Sequence, residues 1–220
     1  MEVIPVHGPR AADLLKQAWP GISLPAAPFQ RTDGPTGSGI AWIFRWDLLR
    51  QPGYHLGVER NRESAIGTAL KNQGLAFGLE IGSEETFQTA RIEAGIPWAG
   101  AEIDETVILN ELGSEEMISF TKGCFVGQEI AARIKHRAHP PRLLKGFLLE
   151  GLQVPTARSA IRWEGETVGI ITSACFSPFL KRVIALGFLK YGLESGSFQV
   201  ETAAGESPAA LAPLPFVPAS

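Results

Sequence analysis

Two consecutive prolines, Pro140 and Pro141, divide this 220-residue chain into halves of different character. Proline has no amide hydrogen and fixes its φ angle, so a helix that reaches this point has to end there. Helical and strand-like patterns alternate before the prolines, whereas short strand-like runs alone follow them. We therefore predict an α+β protein with two domains, at residues 1–140 and 141–220.

The hydrophobic spacing in the first half predicts alternating helices and strands. In chain order we expect a helix from Pro9 to Trp19, a loop over residues 20–39, strands at Ile40–Trp46 and Tyr54–Glu59, a helix from Asn61 to Gln73, a strand at Ala76–Ile81 and a helix starting at Ser83. Asn61 and Ser83 are predicted N-caps because their side chains can accept hydrogen bonds from free helix amides. This order of elements favours an α+β sandwich, with a ferredoxin-like α/β region.

The second half predicts a small antiparallel β-barrel, because it contains strand-like runs and no helical pattern. The five runs are Leu143–Glu150, Ser159–Trp163, Thr167–Ala174, Arg182–Tyr191 and Phe198–Glu201. Glu164-Gly165 is a hairpin signal between two of them. The tail from Gly205 is rich in alanine and proline, and we expect it either to fray or to add Leu214–Phe216 as an edge strand.

Composition excludes several classes of protein. No apolar run is long enough to cross a bilayer, and the first ten residues lack a secretory signal, so we expect a cytoplasmic protein without membrane contact. Cys124 and Cys175 cannot build a disulfide framework or supply the four ligands of an iron–sulfur cluster alone. We expect Cys175 to pack in the barrel core with no charge beside it. A net charge of −3 is not that of a general nucleic-acid binder.

A basic run nevertheless lies between Lys122 and Lys145. It has a local net charge of +5, from six cations and one acid. This run is either a solvated helix face or a landing surface for a polyanion, such as a glutamate tail or an RNA backbone. His136 and His139 are spaced like a helical ligand pair, but no further ligands can be named, so we predict no metal site.

Cys124 is the most reactive residue type in the most distinctive segment, 121–133. A predicted helix begins near Val126, and its free amides and dipole, together with Lys122, would stabilise a thiolate at Cys124. Gly123 and Gly127 would permit a tight turn and close approach to the backbone. The alternative is that Cys124 is a small, half-buried apolar residue in a loop.

Glu93 is the second unusual residue, because it lies in the last turn of a predicted helix that Gly95 ends. A carboxylate there faces the negative end of the helix dipole, which costs roughly a few tenths of a kcal/mol. Glu93 therefore needs a specific partner. Arg91 or another nearby cation is the local candidate, and a ligand with adjacent N–H donors is the alternative.

Both segments resemble known signatures. Residues 122–129, Lys-Gly-Cys-Phe-Val-Gly-Gln-Glu, resemble the signature of the YgfZ family, folate-binding relatives of the glycine-cleavage T-protein. The T-protein branch does not normally carry the cysteine, so Cys124 favours YgfZ. Residues 91–97, Arg-Ile-Glu-Ala-Gly-Ile-Pro, resemble a second signature that both branches share. The resemblance runs from about Gly8 to the end of the barrel.

The resemblance implies a T-protein-like fold, a ring of three domains with folate in the central hole, and tetrahydrofolate or a derivative as cofactor. Glu93 would bind the pterin ring. The implied site comprises Arg91, Glu93, Gly127 and Arg133 for the cofactor, and Cys124 as functional thiol with Lys122 and Gln128 shaping its surroundings. The N-terminal segment that carries the catalytic aspartate of T-proteins has no counterpart here, so we expect a fragment or a shortened family member.

Three functions follow as hypotheses. The first is a monomeric, non-enzymatic folate-binding accessory protein that supports iron–sulfur cluster assembly or repair, with cluster proteins as partners and tRNA modification as an indirect outcome. The second is a tetrahydrofolate-dependent aminomethyltransferase. The third is an RNA-binding module that uses the basic run, although that run lacks the interleaved aromatic residues typical of single-strand binding.

Overall fold

A computed structural model describes residues 1–113 and 139–218. Their contacts form two compact units, one of residues 1–87 with Pro218 and the other of residues 88–113 and 139–217. Strands outnumber helices among the described elements, and the fold class is α+β as predicted. The barrel strands begin at Arg142, beside the predicted domain boundary, while residues 88–113 pack with the barrel. The boundary at 140/141 itself stays a prediction.

The first unit is a four-stranded antiparallel sheet with two helices. Its elements are β1 (Glu2–His7), α1 (Ala11–Ala18), β2 (Arg31–Asp33), β3 (Ile40–Arg45), β4 (Gly53–Val58) and α2 (Glu63–Gly74). The strand order is β1-β4-β3-β2. Apolar residues of α1 and α2, among them Leu15 and Ile66, pack with Ile43 and Leu56 of the sheet to form the core.

The structure confirms α1, β3 and β4 as helix and strands and corrects three other predictions in this unit. The first is the loop over residues 20–39, which contains the short strand β2; strand β1 lies where no element was predicted. The second is Ala76–Ile81, where a short 3₁₀ turn, Leu75–Phe77, ends at Gly78 with φ +70° in place of a strand. The third is Asn61, which has φ +65° and does not cap α2, because that helix begins two residues later.

Helix α3 (Glu84–Glu93) leads into the second unit. Ser83 caps it as predicted, since the amide of Thr86 donates to Ser83 Oγ at 3.2 Å. Glu84 and Glu85 occupy the first turn, where acidic groups complement the helix dipole. A second 3₁₀ turn spans Leu109–Leu112.

The barrel is closed and consists of six antiparallel strands, one more than predicted. The strands are β5 (Arg142–Leu149), β6 (Ala160–Trp163), β7 (Glu166–Ser177), β8 (Arg182–Lys190), β9 (Phe198–Thr202) and β10 (Gly205–Ala212). Their order around the barrel is β10-β5-β8-β7-β6-β9. The predicted hairpin turn is confirmed, because Glu164 and Gly165 have φ values of +51° and +85° between β6 and β7.

The sixth strand, β10, comes from the tail expected to fray. It pairs with β9 on one side and β5 on the other, and so closes the barrel. The alternative edge strand at Leu214–Phe216 is not formed. Leu214 and Phe216 instead pack against an apolar cluster on the outside of the barrel.

Strand β8 is buried on both faces. Val183 and Ala185 point into the barrel with the interior cluster, whereas Ile184 and Leu186 belong to the outer cluster. Ile92 of α3 packs in that outer cluster too. The end of α3 is therefore fixed against the outer wall of the barrel, inside a single compact unit.

Candidate functional site

Strand β7 presents alternate residues, Ser173, Cys175 and Ser177, to the end of α3. Side chains alternate between the two faces of a strand, so residues two apart share a face. The register of β7 against β8 shifts between Ile171 and Ser173, and a bulge of this kind re-aims the side chains that follow it. Ile171 thus lies in the barrel interior while Ser173 reaches Arg91 on the outside.

Glu93 accepts a hydrogen bond from Ser177, whose Oγ lies 2.5 Å from Glu93 Oε1. Ser177 is fully buried, and its Oγ also accepts the amide of Leu180 at 3.0 Å. Glu93 itself is only partly buried. In the part of the chain that the structure describes, Glu93 Oε2 has no hydrogen bond or ion pair. One carboxylate oxygen is therefore anchored and the other remains an open acceptor.

The backbone around Glu93 is equally well defined, because α3 ends as the sequence predicts. Gly95 has φ +67°. The amide of Gly95 donates to Ile92 O at 2.9 Å and that of Ile96 to Arg91 O at 2.8 Å, the paired hydrogen bonds of a Schellman end. The carbonyl of Glu93 accepts the amide of Val217 at 3.1 Å.

Arg91 does not pair with Glu93, which corrects the local-partner alternative. Its Nη1 lies 3.0 Å from Oε2 of Glu102, and its Nη2 donates to Ser173 Oγ at 2.7 Å. Ser173 Oγ in turn donates to Glu102 Oε1 at 2.6 Å, so the three side chains form a closed buried triangle. The predicted contact of Arg91 with a cofactor stays a prediction.

Sequence reasoning missed Glu102, Ser173 and Ser177. Glu102 is fully buried and also accepts the amide of Trp98 at 3.0 Å. Ser173 and Ser177 lie 71 and 84 positions from the acids that they bind, so no local pattern connects them. The alternation of small polar residues at 173, 175 and 177 was the available signal, since it marks a strand face that contacts another element.

Cys175 is half-buried between these serines, and it is not free of charges as the sequence suggested. Burial, and to a lesser extent the nearby carboxylate of Glu93, raise the pKa of its thiol to about 11. A hydrogen bond with the side chain of Thr89 and the charge of Arg91 oppose this shift more weakly. Cys175 is therefore a protonated thiol at neutral pH and a poor nucleophile.

Five predicted site residues, Lys122, Cys124, Gly127, Gln128 and Arg133, lie outside the described residues. Of the basic run, Arg142 and Lys145 are described. Arg142 Nε donates to buried Glu111 at 2.8 Å, and its guanidinium lies 4.5 Å from the centre of the Phe188 ring. Arg142 is thus paired with an acid, which makes it a weak part of any polyanion surface.

A histidine pair in the first unit was also missed. The rings of His7 on β1 and His55 on β4 meet edge to face, with centroids 5.2 Å apart. Burial and the neighbouring His55 lower the pKa of His7 to about 4, although the carboxylate of Asp47 raises it slightly. Burial lowers the pKa of His55 too. Both rings are therefore neutral at physiological pH.

Two kinds of feature are absent from the described residues, 1–113 and 139–218. No group of three or more histidine, cysteine, aspartate or glutamate side chains is arranged to hold a metal ion there. None of the helices described is both long enough and apolar enough to cross a membrane.

Known proteins share the fold of this chain. Residues 142–218 match the family described as glycine cleavage T-protein C-terminal barrel domain. The crystal structure of glycine cleavage system aminomethyltransferase T from Bartonella henselae matches 100% of this chain with a TM-score of 0.83 and 20% identity, and 61% of that structure is covered. The chain has a T-protein-like fold.

Curated relatives of this T-protein-like chain are named aminomethyltransferase. The protein from Thermus thermophilus is 38% identical over 223 residues, which cover 98% of this chain and 59% of the relative. The protein from Streptomyces avermitilis is 30% identical over 191 residues, which cover 85% of this chain and 51% of the relative. The T-protein-like chain thus spans about half the length of these relatives. Sequence and fold both support a relationship to glycine-cleavage T-proteins.

Proposed function

We propose that this chain binds a tetrahydrofolate derivative through the carboxylate of Glu93 and acts in aminomethyl transfer of the glycine-cleavage type. The observation that carries the proposal is how the backbone and the carboxylate of Glu93 are held. Its backbone is fixed by the end of α3, its Oε1 is anchored by Ser177, and its Oε2 is an open acceptor within the described residues.

The chemistry of the pterin ring fits this carboxylate. A pterin presents an N3–H and a 2-amino group side by side, and a carboxylate is a forked acceptor that can take both. Each oxygen has two lone pairs, so Oε1 can accept from Ser177 and still take part. A carboxylate that is already oriented loses less side-chain entropy on binding, which strengthens the interaction.

The names of the relatives support the reaction class. Both aminomethyltransferases described above align with most of this chain, while the chain covers about half of each of them. Transfer of the one-carbon unit to tetrahydrofolate is therefore proposed for this chain by similarity.

A second candidate is the YgfZ-like accessory role, and the motif around Cys124 favours it. In that role the chain would bind folate through Glu93, use the thiol of Cys124 and work with proteins of iron–sulfur cluster assembly, with tRNA modification as an indirect result. This candidate shares the folate site with the first and differs in what the bound folate is used for.

Titration calorimetry under anaerobic conditions tests folate binding. Tetrahydrofolate, with and without a polyglutamate tail, is titrated into the unmodified chain, Glu93→Ala, and the control Glu105→Ala, which removes an exposed acid of the same unit. The proposal predicts binding by the unmodified chain and the control, and a loss of at least tenfold in Glu93→Ala, as for a hydrogen-bonded charged group. Equal binding by all three, or none by the unmodified chain, would refute it.

A second experiment separates the two candidates. The chain is supplied with tetrahydrofolate and an aminomethylated carrier protein, and formation of 5,10-methylenetetrahydrofolate is followed with and without the Cys124→Ser substitution. Turnover that survives Cys124→Ser supports the aminomethyltransferase. Folate binding without turnover, together with loss of cluster-enzyme activity in cells that carry only Cys124→Ser, supports the accessory role.

A further inference from the structure

We propose that Ser177 is a positioning residue that orients the carboxylate of Glu93 for the pterin, so that the barrel strand β7 sets the geometry of the folate-binding glutamate. This inference rests on the proposed function, since it concerns how the same carboxylate is presented. Ser177 does not touch the ligand in this proposal and acts only through Glu93.

The hydrogen bonds of Ser177 fix the direction of its hydroxyl. A serine hydroxyl has one proton to donate and two lone pairs. The amide of Leu180 donates to Ser177 Oγ at 3.0 Å and so occupies a lone pair. The hydroxyl proton is then directed to Glu93 Oε1, 2.5 Å away. Ser177 is fully buried, so water does not compete for this proton.

Other contacts hold the backbone of Glu93, and Ser177 holds its side chain. The Schellman end, the Val217 amide and the buried triangle of Arg91, Glu102 and Ser173 fix the last turn of α3. None of them touches the carboxylate of Glu93. Among the described residues, Ser177 is the one that hydrogen-bonds this carboxylate. Without the serine, the three side-chain torsions of a glutamate would be released and would have to be ordered again when the ligand binds.

The barrel offers a matched control. Ser207 on β10 is also a buried serine, and its hydroxyl donates to Glu150 O at 2.6 Å, which is a contact within the barrel. Ser207→Ala removes a buried hydroxyl and its hydrogen bond without affecting Glu93. A general loss of barrel stability would appear in both variants, whereas a change at the carboxylate would appear in Ser177→Ala alone.

The first measurement is tetrahydrofolate affinity by calorimetry, with thermal midpoints recorded for each variant. Ser177→Ala is expected to weaken binding about tenfold, as for loss of a hydrogen bond to a charged group. Ser207→Ala is expected to bind like the unmodified chain, and Ser177→Thr, which keeps the hydroxyl, to recover most of the affinity. If Ser177→Ala does not fold, Ser177→Cys, with a weak donor of similar size, takes its place in the comparison.

The second measurement does not need folate. Burial is the main cause that raises the pKa of Cys175, and the charge of Glu93 adds to it, so the part of the midpoint shift that disappears in a Glu93→Gln background reports where the carboxylate lies. In a Cys124→Ser background, the alkylation rate of Cys175 is followed against pH. Ser177→Ala is expected to move the ionisation midpoint when Glu93 is present and to leave it unmoved in the Glu93→Gln background, and Ser207→Ala is expected to leave it unchanged in both.

The outcomes separate the inference from the function on which it rests. In one outcome, Glu93→Ala no longer binds folate, whereas Ser177→Ala binds it like the unmodified chain and leaves the ionisation midpoint of Cys175 unmoved. Ser177 is then not a positioning residue, and the proposed function stands. If the unmodified chain binds no folate, the proposed function falls. A shift in the Cys175 midpoint in Ser177→Ala that disappears in the Glu93→Gln background would then still show that Ser177 orients Glu93. The role of this orientation in pterin binding would fall with the proposed function.

Discussion

Arg91 and Glu102 form an ion pair that is closed to solvent. Nη1 of the arginine lies 3.0 Å from Oε2 of the glutamate, and the two side chains are 3% and 0% exposed. Because the guanidinium of Arg91 pairs with Glu102, it does not pair with the neighbouring Glu93. Glu93 instead accepts a hydrogen bond from the neutral hydroxyl of Ser177. The last turn of helix α3 thus carries two residues with separate roles: Arg91 is structural, and Glu93 is open to a ligand.

Breaking the buried pair should destabilise the second unit strongly. Glu102→Ala would leave a buried guanidinium without its counter-charge, which costs about 3–5 kcal/mol in comparable cases. The free energy of unfolding from urea titration checks this, with the exposed Glu105→Ala as control. Replacing both partners, in Arg91→Met with Glu102→Leu, should cost less than Glu102→Ala alone. A loss below about 1 kcal/mol in Glu102→Ala would contradict a buried ionic role.

The His7–His55 pair should make the first unit sensitive to acid. The pKa of His7 is about 4 in the folded chain, below its ordinary value of 6.5, so the unfolded chain binds more protons between these values. Stability is therefore full above pH 6.5 and falls as the pH drops towards 4. His7→Phe should flatten this part of the curve of unfolding free energy against pH. His139→Phe, which changes an exposed histidine, should not.

Two glycines of the first unit should respond in opposite directions to alanine. Gly67 lies inside α2, and a Cβ there would meet nothing within 4 Å. Gly67→Ala should stabilise the chain by roughly 0.5–1 kcal/mol, because glycine is the more flexible residue when unfolded. At Gly57 on β4, a Cβ would lie 2.0 Å from the ring of Trp42, so Gly57→Ala should lower the thermal midpoint. A thermal midpoint of Gly57→Ala equal to that of the unmodified chain would contradict the close approach of the Trp42 ring to Gly57.

The barrel interior should depend on Phe147. This ring is fully buried and meets Phe198 edge to face with centroids 6.0 Å apart. Phe147→Ala should cost about 3–5 kcal/mol through lost contacts and a cavity. Phe179→Ala, on a ring that is 68% exposed, should change the unfolding free energy by less than about 0.5 kcal/mol. Chemical denaturation of the two variants, followed by circular dichroism, makes the comparison.

Local patterns were sufficient where the residues themselves select the structure. Helix α3 was predicted with both ends, because Ser83 can cap it and Gly95 can take the left-handed conformation that ends it. Strand β10 was missed, because alanine, proline and glycine do not favour strands. It is a strand because β5 and β9 on either side supply its hydrogen-bond partners, and that context is set by the barrel as a whole.

The candidate site was likewise predictable only where local sequence determines it. Glu93 stood out because a carboxylate is out of place at a helix C-terminus, which is a local property. Its partner Ser177 was not found, since the contact joins residues 84 positions apart and depends on the register of β7. Glu102 was not found because nothing in its own neighbourhood indicates that it would be buried.

Strand β8 has neighbours in every direction. Its backbone is paired with β5 on one edge and β7 on the other, and its side chains from Val183 to Leu189 are covered on both faces. Local opening cannot expose its amides to water without dismantling the strands beside it. The amide protons of this strand should therefore exchange with deuterated solvent last of all in the second unit, at a rate set by global unfolding. A single stretch of backbone would then serve as a gauge of the stability of the whole barrel.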